Sequence, residues 1–569
     1  MTEALLISPG TGTGDVVLCD PGLSFWGGVD ATTGVVIDTH HPRHGTSLAG
    51  RVVMMPSSRG SCTGSGVLLE LVLNDTAPAA LIFCESEDVL TLGTLIAGRL
   101  FERPLPVLRL DRETFAQVAR AGHAAITATH LEAGELRLPL RKVDATALDL
   151  TDADRAMLAG EEGAANALAM EITCIMAAQQ GAAELCDITR GHIDGCIYAS
   201  PANLRFAQAM KDMGARVRVP TTMNAISVEH GRWQVQGTPP DFGGPAAALA
   251  DAYVAMGARP TFTCAPYTLD DAPVRDERIG WSESNAVIYA NSAVGARTVK
   301  HPDFLDLFVA MTGRAPLSGV YLDAPRRAAR VIAVEPPHEP DDAFWPMLGW
   351  LAGDRAPDRI PLLTGLEPLN PDPDDLKALC AAFGSTSGAP MLHLAGITPE
   401  AGLPPADGAD HAAITLSDLR ALWAQFNAAP AKVDLVAIGS PHASARECRD
   451  FATHLAGRNV AAGVDVIVTI GAHVAAQLRK DGTDRTLRDA GVTILRDLCW
   501  CSISEPVFPP AAQVIMTNSG KYAHYGPGLT GRRMRFGTLA DCAEAAATGQ
   551  ATEELPRWTH PPAAAGIPR

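Results

Sequence analysis

The chain has 569 residues, of which 47% are hydrophobic and 19% are charged, and its formal net charge is −18. A single hydrophobic core stops growing at roughly 250–300 residues, so this length predicts at least two domains. The acidic balance, the 5% aromatic content and the lack of a long Lys/Arg run argue against nucleic acid or an anionic membrane as a partner.

The N-terminal stretch MTEALLISPGTGTGD has neither a basic n-region nor an apolar h-region. No uninterrupted apolar run approaches the ~20 residues of a membrane helix. We therefore expect a soluble cytoplasmic protein, monomeric or a small homo-oligomer, whose 12 cysteines are mostly reduced.

Residues 1–140 predict a small mixed sheet domain, because short apolar strands alternate there with turns. The strands are DVVLCD, GVVIDT, GRVVMMPSS, AALIFC and LPVLRL. The strand GRVVMMPSS is followed by the Gly/Ser-rich turn RGSCTGSG and then by the apolar segment VLLELVL, which predicts the start of a helix. Backbone N–H groups at such a helix start favour an anion.

Residues 141–569 predict a large α/β domain. It opens on LTDADRAMLAGEEGAANALAMEITCIMAAQQ, which predicts one amphipathic helix capped by Thr151 or Asp152. Apolar strands then alternate with helical stretches, a pattern typical of parallel α/β layers. These strands are ARVRVP, RVIAVE, VDLVAIG, VDVIVTIG, GVTIL and AQVIMTN.

Cysteines occupy two polar, turn-rich loops of the large domain. Cys264 lies in PTFTCAPY, and Cys499 and Cys501 lie in RDLCWCS, which follows the strand GVTIL. Ligands of open α/β sheets bind beyond the carboxyl ends of strands, so these loops are candidate sites. No Cys-x-x-Cys pattern supports zinc, whereas thiolates that converge from separate loops are typical of iron–sulfur clusters.

Two serines in RGSCTGSG, Ser61 and Ser65, are candidate catalytic groups. The Gly-x-Ser-x-Gly spacing of a nucleophile elbow fails, because glycine directly precedes Ser65. An acyl-transfer hydrolase is therefore disfavoured. Either serine could act as a general base if N–H groups stabilise its alkoxide, or the turn could simply bind a phosphate or carboxylate.

Taken together, these segments resemble the aconitase X family in its single-chain form. GVVIDTHHPRHGTSLAGRVVMMPSSRGSCTGSGVLLEL matches the small swivelling domain, which some members carry as a separate subunit. Segments that match the large catalytic domain include ARVRVPTTMNA, PTFTCAPY, SESNAVIYANSAVGART, GAPMLHLAGITPEA, VDLVAIGSPHAS and TNSGKYAHYGPGLTG. The resemblance implies a small swivelling β/α domain and a large aconitase-like multi-layer α/β domain.

The resemblance also implies a hydro-lyase that uses an iron–sulfur centre. Single-chain members dehydrate cis-3-hydroxy-L-proline to Δ1-pyrroline-2-carboxylate, and two-subunit members dehydrate mevalonate 5-phosphate. A [2Fe-2S] cluster is favoured by the resemblance, with [4Fe-4S] and [3Fe-4S] left open. The alternatives are another hydroxy-acid dehydratase or a non-catalytic, cluster-bearing ligand-binding protein.

Residue roles follow from the same resemblance. Ser65 is expected to be the base, with Ser61 as the second choice. Cys264 and Cys499 are expected to hold the cluster with Cys501, or else Cys380, as the third ligand, because Ser440 stands where two-subunit members tend to have cysteine. The expected carboxylate clamp and the other substrate-binding residues are Lys521, Arg297, His442, Asn291, Thr46 and Ser47.

Overall fold

The structure, a computed structural model, describes residues 4–559. Its N-terminal part contains three helices, α1 (Gly64–Leu73), α2 (Val89–Leu100) and α3 (Arg112–Ala121). Its eight strands are β1 (Ala4–Ser8), β2 (Gly12–Leu18), β3 (Val52–Met54), β4 (Ala80–Phe83), β5 (Val107–Arg109), β6 (His123–Ile126), β7 (His130–Ala133) and β8 (Leu136–Lys142).

These eight strands pair in both parallel and antiparallel fashion, as expected of a mixed sheet, and they close into a barrel. The order is β1-β5-β4-β3-β2-β6-β7-β8, and β8 returns to pair with β1 in parallel. Because successive side chains of a strand point to opposite faces, Val52 and Met54 fill the barrel while Val53 packs outward. Strand β8 closes the barrel and ends at Lys142, two residues beyond the boundary expected at residue 140.

The second part contains a three-stranded parallel sheet in the order β11-β10-β12 and an antiparallel pair, β9 with β13. Its helices are α4 (Asp152–Leu158), α5 (Ala164–Gln179), α6 (Pro201–Asp212), α7 (Pro240–Ala255), α8 (Ser284–Tyr289) and α9 (Leu305–Thr312). Its strands are β9 (Leu185–Asp187), β10 (Gly191–Ile193), β11 (Thr221–Met223), β12 (Gly280–Trp281) and β13 (Arg314–Pro316).

The single helix predicted near residue 150 is two helices, α4 and α5. Thr151 caps α4 as expected, in a reciprocal capping box with Asp154. The helix then breaks because Gly160 and Gly163 have φ angles of 81° and 95°, in the left-handed region that a continuing helix cannot adopt.

One hydrophobic core joins the barrel to this second part. Leu68 of α1 and Ile96 of α2 belong to the same buried cluster as Ile172 of α5 and Phe206 of α6. The loop before α1 is therefore held against the second part by continuous apolar packing.

The remaining chain forms two more parallel sheets. The first has the order β16-β15-β14-β17. Its elements are β14 (Arg330–Val334), α10 (Phe344–Arg355), β15 (Pro361–Thr364), α11 (Pro373–Thr386), β16 (His393–Leu394), β17 (Asp410–Ile414) and α12 (Leu416–Phe426).

The second of these sheets has the order β20-β19-β18-β21-β22, as expected for alternating parallel α/β layers. Its elements are β18 (Leu435–Ile438), α13 (Ala445–Leu455), β19 (Asp465–Ile470), α14 (Ala472–Asp481), α15 (Thr483–Asp489), β20 (Thr493–Arg496), β21 (Val514–Thr517), α16 (Gly520–Thr530), β22 (Arg533–Phe536) and α17 (Leu539–Thr548). Across residues 4–559, no helix combines the length and apolarity needed to cross a membrane.

Candidate active site

Polar residues follow all three strands of the β11-β10-β12 sheet. Asn224 and Asp194 come directly after β11 and β10, and Glu283 lies two residues beyond β12; all three are buried. Because the strands are parallel, their carboxyl ends lie at one edge and bring these residues together. The Asn224 amide accordingly contacts both Asp194 and Glu283.

The five-stranded sheet supplies the opposing side of the site in the same way. His442 follows β18, Cys499 follows β20, and Lys521 follows β21. The Lys521 ammonium donates to Glu283 Oε1 at 2.9 Å, which joins the two sheet edges in one site.

The three predicted cysteine ligands converge. Cys264 and Cys499 lie in one buried cluster, and Cys501 packs against it. Between Cys499 and Cys501, the buried Trp500 donates its indole N–H to the Ile438 carbonyl at 2.8 Å and so fixes the Cys-x-Cys loop.

The thiols of this group share one negative charge. Hydrogen bonds from Cys264 and Cys501, aided by the Lys521 ammonium, hold the pKa of Cys499 well below its usual range. The pKa values of Cys264 and Cys501 are raised, first by donation to Cys499 and then by burial. A thiolate is the form of cysteine that binds metal, so the group favours a soft metal centre.

His442 supports Cys264 through its backbone, whose N–H donates to Cys264 Sγ at 3.2 Å. Its ring is committed elsewhere: Nε2 lies 2.6 Å from the Leu498 carbonyl and Nδ1 lies 3.3 Å from the Thr263 hydroxyl. Burial lowers the pKa of His442, so the neutral ring donates from Nε2 and accepts at Nδ1. His442 is a positioning residue in this geometry.

Lys521 and Glu283 form a largely buried ion pair whose side chains are 13% and 11% exposed. Burial opposes the charge on Lys521, but Glu283 and the neighbouring thiols outweigh it and raise the pKa of Lys521 well above its usual value. Burial would likewise raise the pKa of Glu283, but Lys521 lowers it. Both groups are therefore ionised at neutral pH.

The barrel contributes the loop before α1. Cys62 of this loop lies 2.9 Å from Asp194 Oδ2 and 3.8 Å from the Ser282 carbonyl. The RGSCTGSG turn therefore reaches the ends of strands β10 and β12.

The two candidate serines have different surroundings. Ser65 is fully buried and donates to the carbonyls of Cys62 and Asp303 at 3.0 and 3.2 Å, so the ring of N–H donors expected around it is not formed. Carbonyl acceptors favour the protonated hydroxyl. Ser61 is partly exposed, and its oxygen accepts the Thr63 N–H at 3.2 Å.

Four expected substrate-binding residues form hydrogen bonds or ion pairs with other groups, and within residues 4–559 none of these joins them to the three cysteines. Thr46 and Ser47 belong to the segment between β2 and β3, where their backbones pair with Val36 and Val35. The Asn291 amide bonds to the Thr298 and Pro390 carbonyls.

Arg297 is the fourth of these residues, and it pairs with Asp276 and Asp323 beside a surface cleft. A guanidinium committed to two carboxylates is satisfied without a substrate.

Cys380 packs in the hydrophobic core around α10 and α11, apart from the three clustered cysteines. Ser440 is next to the site: its hydroxyl is buried and has no hydrogen-bond partner within residues 4–559. A buried hydroxyl without a partner, two residues from His442, leaves a donor and an acceptor available to a further group.

Sequence reasoning missed five residues of the site, namely Asn224, Asp194, Glu283, Cys62 and Lys300. The missed signal was positional, because Asn224, Asp194 and Glu283 all follow strand ends in TTMNA, HIDGC and GWSES. Lys300 is partly buried near Cys62, Glu283 and Lys521, and burial lowers its pKa to about 8.

Four domain models of the aconitase X family match the chain. They are its swivel domain over residues 2–133, its first domain over 147–324, its second domain over 328–424 and its third domain over 433–548. Three of them fall within the large domain predicted from the sequence.

Similar proteins agree with this match. Proteins named "Cis-3-hydroxy-L-proline dehydratase" from Pseudomonas aeruginosa and Hypocrea jecorina are 48% and 43% identical, over 98% and 96% of this chain and 99% and 95% of theirs. The crystal structure of Thermococcus kodakaraensis aconitase X in its holo-form superposes with a TM-score of 0.64 at 28% identity and covers 70% of this chain and 100% of its own. The chain therefore belongs to the aconitase X family.

Proposed function

We propose that this protein is a hydro-lyase that dehydrates cis-3-hydroxy-L-proline to Δ1-pyrroline-2-carboxylate and water. The observation that carries the proposal is the convergence of Cys264, Cys499 and Cys501 beside the Lys521–Glu283 ion pair. The near full-length similarity to the two proteins of that name supports the substrate.

The three cysteines fit an iron–sulfur cluster, and we propose a [2Fe-2S] centre. Three soft donors converge, the other two thiols lower the pKa of Cys499, and the buried Ser440 hydroxyl has no hydrogen-bond partner within residues 4–559. When bound, the cluster supplies a Lewis acid for the hydroxyl that leaves C3.

Lys521 and Lys300 suit the carboxylate of the substrate. Elimination begins with loss of the α-proton, and the resulting negative charge spreads onto that carboxylate. Fixed ammonium groups stabilise such charge most strongly where water is excluded. Lys521 stays charged because its ammonium is paired with the Glu283 carboxylate. The partly exposed Lys300 lies near both residues.

We propose Ser61 rather than Ser65 as the base that accepts the α-proton. The Thr63 N–H already donates to the Ser61 oxygen, and this bond would strengthen as negative charge develops there. Ser61 is also partly exposed, so a substrate can reach it, whereas Ser65 is fully buried.

The overall reaction removes one proton from C2 and hydroxide from C3, which together make one water molecule. The organic product is an enamine, whose tautomer is Δ1-pyrroline-2-carboxylate.

All twelve cysteines are free of disulfide bonds, which fits a reducing cytoplasmic compartment.

The test is an anaerobic assay of the purified protein with cis-3-hydroxy-L-proline, with the product followed by proton NMR. Ser61→Ala should lower kcat by about 10²-fold or more, in the range of a lost general base, with the cluster spectrum unchanged. Ser65→Ala serves as the matched control and should retain more activity.

Absence of product would refute the dehydratase proposal, and the same assay with mevalonate 5-phosphate would then test the alternative substrate. Full activity in Ser61→Ala would refute Ser61 as the base but would leave the dehydratase proposal intact.

A further inference from the structure

A second group of metal-binding side chains lies outside the three-cysteine site. Cys62, Asp194 and Asp303 are all buried, and their Sγ and carboxylate oxygens lie within 4.8 Å of one another. A tetrahedral zinc ion, with bonds of about 2.0 Å to oxygen and 2.3 Å to sulfur, separates its ligands by about 3.3–3.5 Å. The three donors thus need only small movements to surround an ion.

Asp303 is the clearest sign that something belongs between them. Its side chain is completely buried, yet neither carboxylate oxygen has a hydrogen-bond partner within residues 4–559. Burial raises the pKa of Asp303 to about 6, and the neighbouring Cys62, Thr63 and Asp194 side chains lower it, but none of the three completes a hydrogen bond of ordinary geometry with the carboxylate. A buried carboxylate normally has such partners or binds a cation.

The charges of the Cys62, Asp194 and Asp303 group also favour a bound cation. Asp194 and Asp303 lie close together, and burial and mutual repulsion raise the pKa of Asp194. Burial and Asp194 also raise the pKa of Cys62. Three acids in one buried place must either keep protons or share a cation, and a bound divalent ion removes the protons.

We propose that Cys62, Asp194 and Asp303 bind one divalent transition-metal ion, such as Zn²⁺, at the junction between the barrel and the β11-β10-β12 sheet. One sulfur and two carboxylate oxygens suit such an ion, whereas Mg²⁺ and Ca²⁺ prefer oxygen alone. Three protein ligands leave a fourth position for water or another group.

The surroundings supply the outer contacts that metal ligands usually have. Asn224 donates to Asp194 Oδ1, and this side chain also contacts Glu283. Asp306 accepts the backbone N–H groups of Asp194 and Gly195 at 2.7 and 3.1 Å and fixes that turn. Such contacts orient the ligands of a metal site.

The ion would connect two parts of the chain. Cys62 belongs to the loop that carries Ser61, whereas Asp194 and Asp303 belong to the second part. A bound ion would therefore hold the Ser61 loop in place. This role does not depend on which substrate the enzyme uses.

The experiment measures metals and acid-labile sulfide in the holoenzyme after incubation with Zn²⁺ and removal of free ions by dialysis. Sulfide gives the amount of cluster, so an additional ion appears as metal in excess of the cluster iron. We expect one such ion per chain in the native protein and its loss in Cys62→Ser and in Asp303→Asn.

Cys196→Ser is the matched control, because Cys196 is also buried, lies two residues from Asp194, and donates its thiol to the Ile193 and Asn224 carbonyls. This variant should keep the ion. Retained cluster absorption in every variant shows that the fold is intact.

A second readout uses Co²⁺ in place of Zn²⁺. A thiolate–cobalt charge-transfer band should appear in a Cys264→Ser/Cys499→Ser background and disappear when Cys62→Ser is added. No excess metal in the native protein, or an ion retained by both Cys62→Ser and Asp303→Asn, would overturn the proposal.

Discussion

At the scale of single residues, the site depends on buried charges that are balanced in pairs. Glu283 keeps Lys521 charged, and Lys521 in turn favours the Cys499 thiolate. Burying either charge alone would cost several kcal/mol, so the pair has to be considered as one unit.

The first prediction concerns Lys521. Lys521→Met removes the ammonium that we propose binds the substrate carboxylate, and it leaves Glu283 without its cationic partner. We expect kcat/KM to fall by about 10²–10³-fold, as when a pre-organised electrostatic group is removed. The exposed Lys480→Met is the control, and equal kinetics in the two variants would contradict the assignment.

The second prediction concerns the pH dependence of substrate binding. Burial lowers the pKa of Lys300 to about 8, so its charge is present below pH 8 and is lost above it. KM should therefore rise above about pH 8, approaching tenfold per pH unit, since each unit removes most of the remaining charged form.

Lys300→Arg separates this effect from other titrations. A guanidinium stays charged through this range, so the rise in KM should move to higher pH. An unchanged pH profile in Lys300→Arg would show that Lys300 does not bind the substrate.

At the scale of secondary structure elements, helices α11 and α13 position the His442 loop. The buried Lys377 of α11 pairs with Asp374 at 2.9 Å and with Glu447 of α13. Glu447 also belongs to the capping box of Ser444, two residues beyond His442. The ion pairs therefore help to fix the segment that contains His442, whose backbone N–H donates to Cys264 Sγ.

The third prediction is that Lys377→Met is strongly destabilising. It leaves Glu447 without the ammonium of Lys377, whereas Asp374 is still paired with Arg446, at a cost of about 3 kcal/mol. The melting temperature should fall by about 2–3 °C, because the entropy of unfolding of a chain of this length is about 1.2 kcal/mol/K. The exposed Lys432→Met should change it little, and similar melting of both variants would argue against this role for Lys377.

The elements also show what the sequence could predict. Apolar strands alternating with helices indicated the parallel layers. Cys264, Cys499 and Cys501 were candidates because they lie in polar loops, whereas His442 and Lys521 became candidates through the family resemblance. Asp194 and Glu283 were missed although they occupy equivalent positions. Closure of the barrel could not be predicted, because it depends on β8 returning to β1 across the whole domain.

At the scale of the whole molecule, the barrel and the catalytic part meet through α1 and α6. Glu70 of α1 accepts the Ala202 N–H at 2.7 Å, so an acid of the barrel caps the start of a helix in the next part. Gly66 faces Asn203 across the same contact, where a Cβ atom would lie 3.0 Å from the amide. This close approach holds the Ser61 loop against the site.

The fourth prediction tests this contact. Glu70→Leu removes a hydrogen bond to a charged group, which contributes about 1.5–3 kcal/mol, so the Ala202 amide should exchange with solvent at least about tenfold faster. Exchange is measured by mass spectrometry, with the exposed Glu113→Leu as the control. Unchanged protection of residues 201–204 would show that the contact does not stabilise the junction.

The most direct test of the central claim is iron content and turnover measured on the same anaerobic samples of the native protein, Cys499→Ser and Cys380→Ser. We expect Cys499→Ser to lose iron, visible absorption and dehydration of cis-3-hydroxy-L-proline together, whereas Cys380→Ser, whose thiol lies in the hydrophobic core, should keep all three. Turnover that persists in an iron-free Cys499→Ser protein would contradict this expectation.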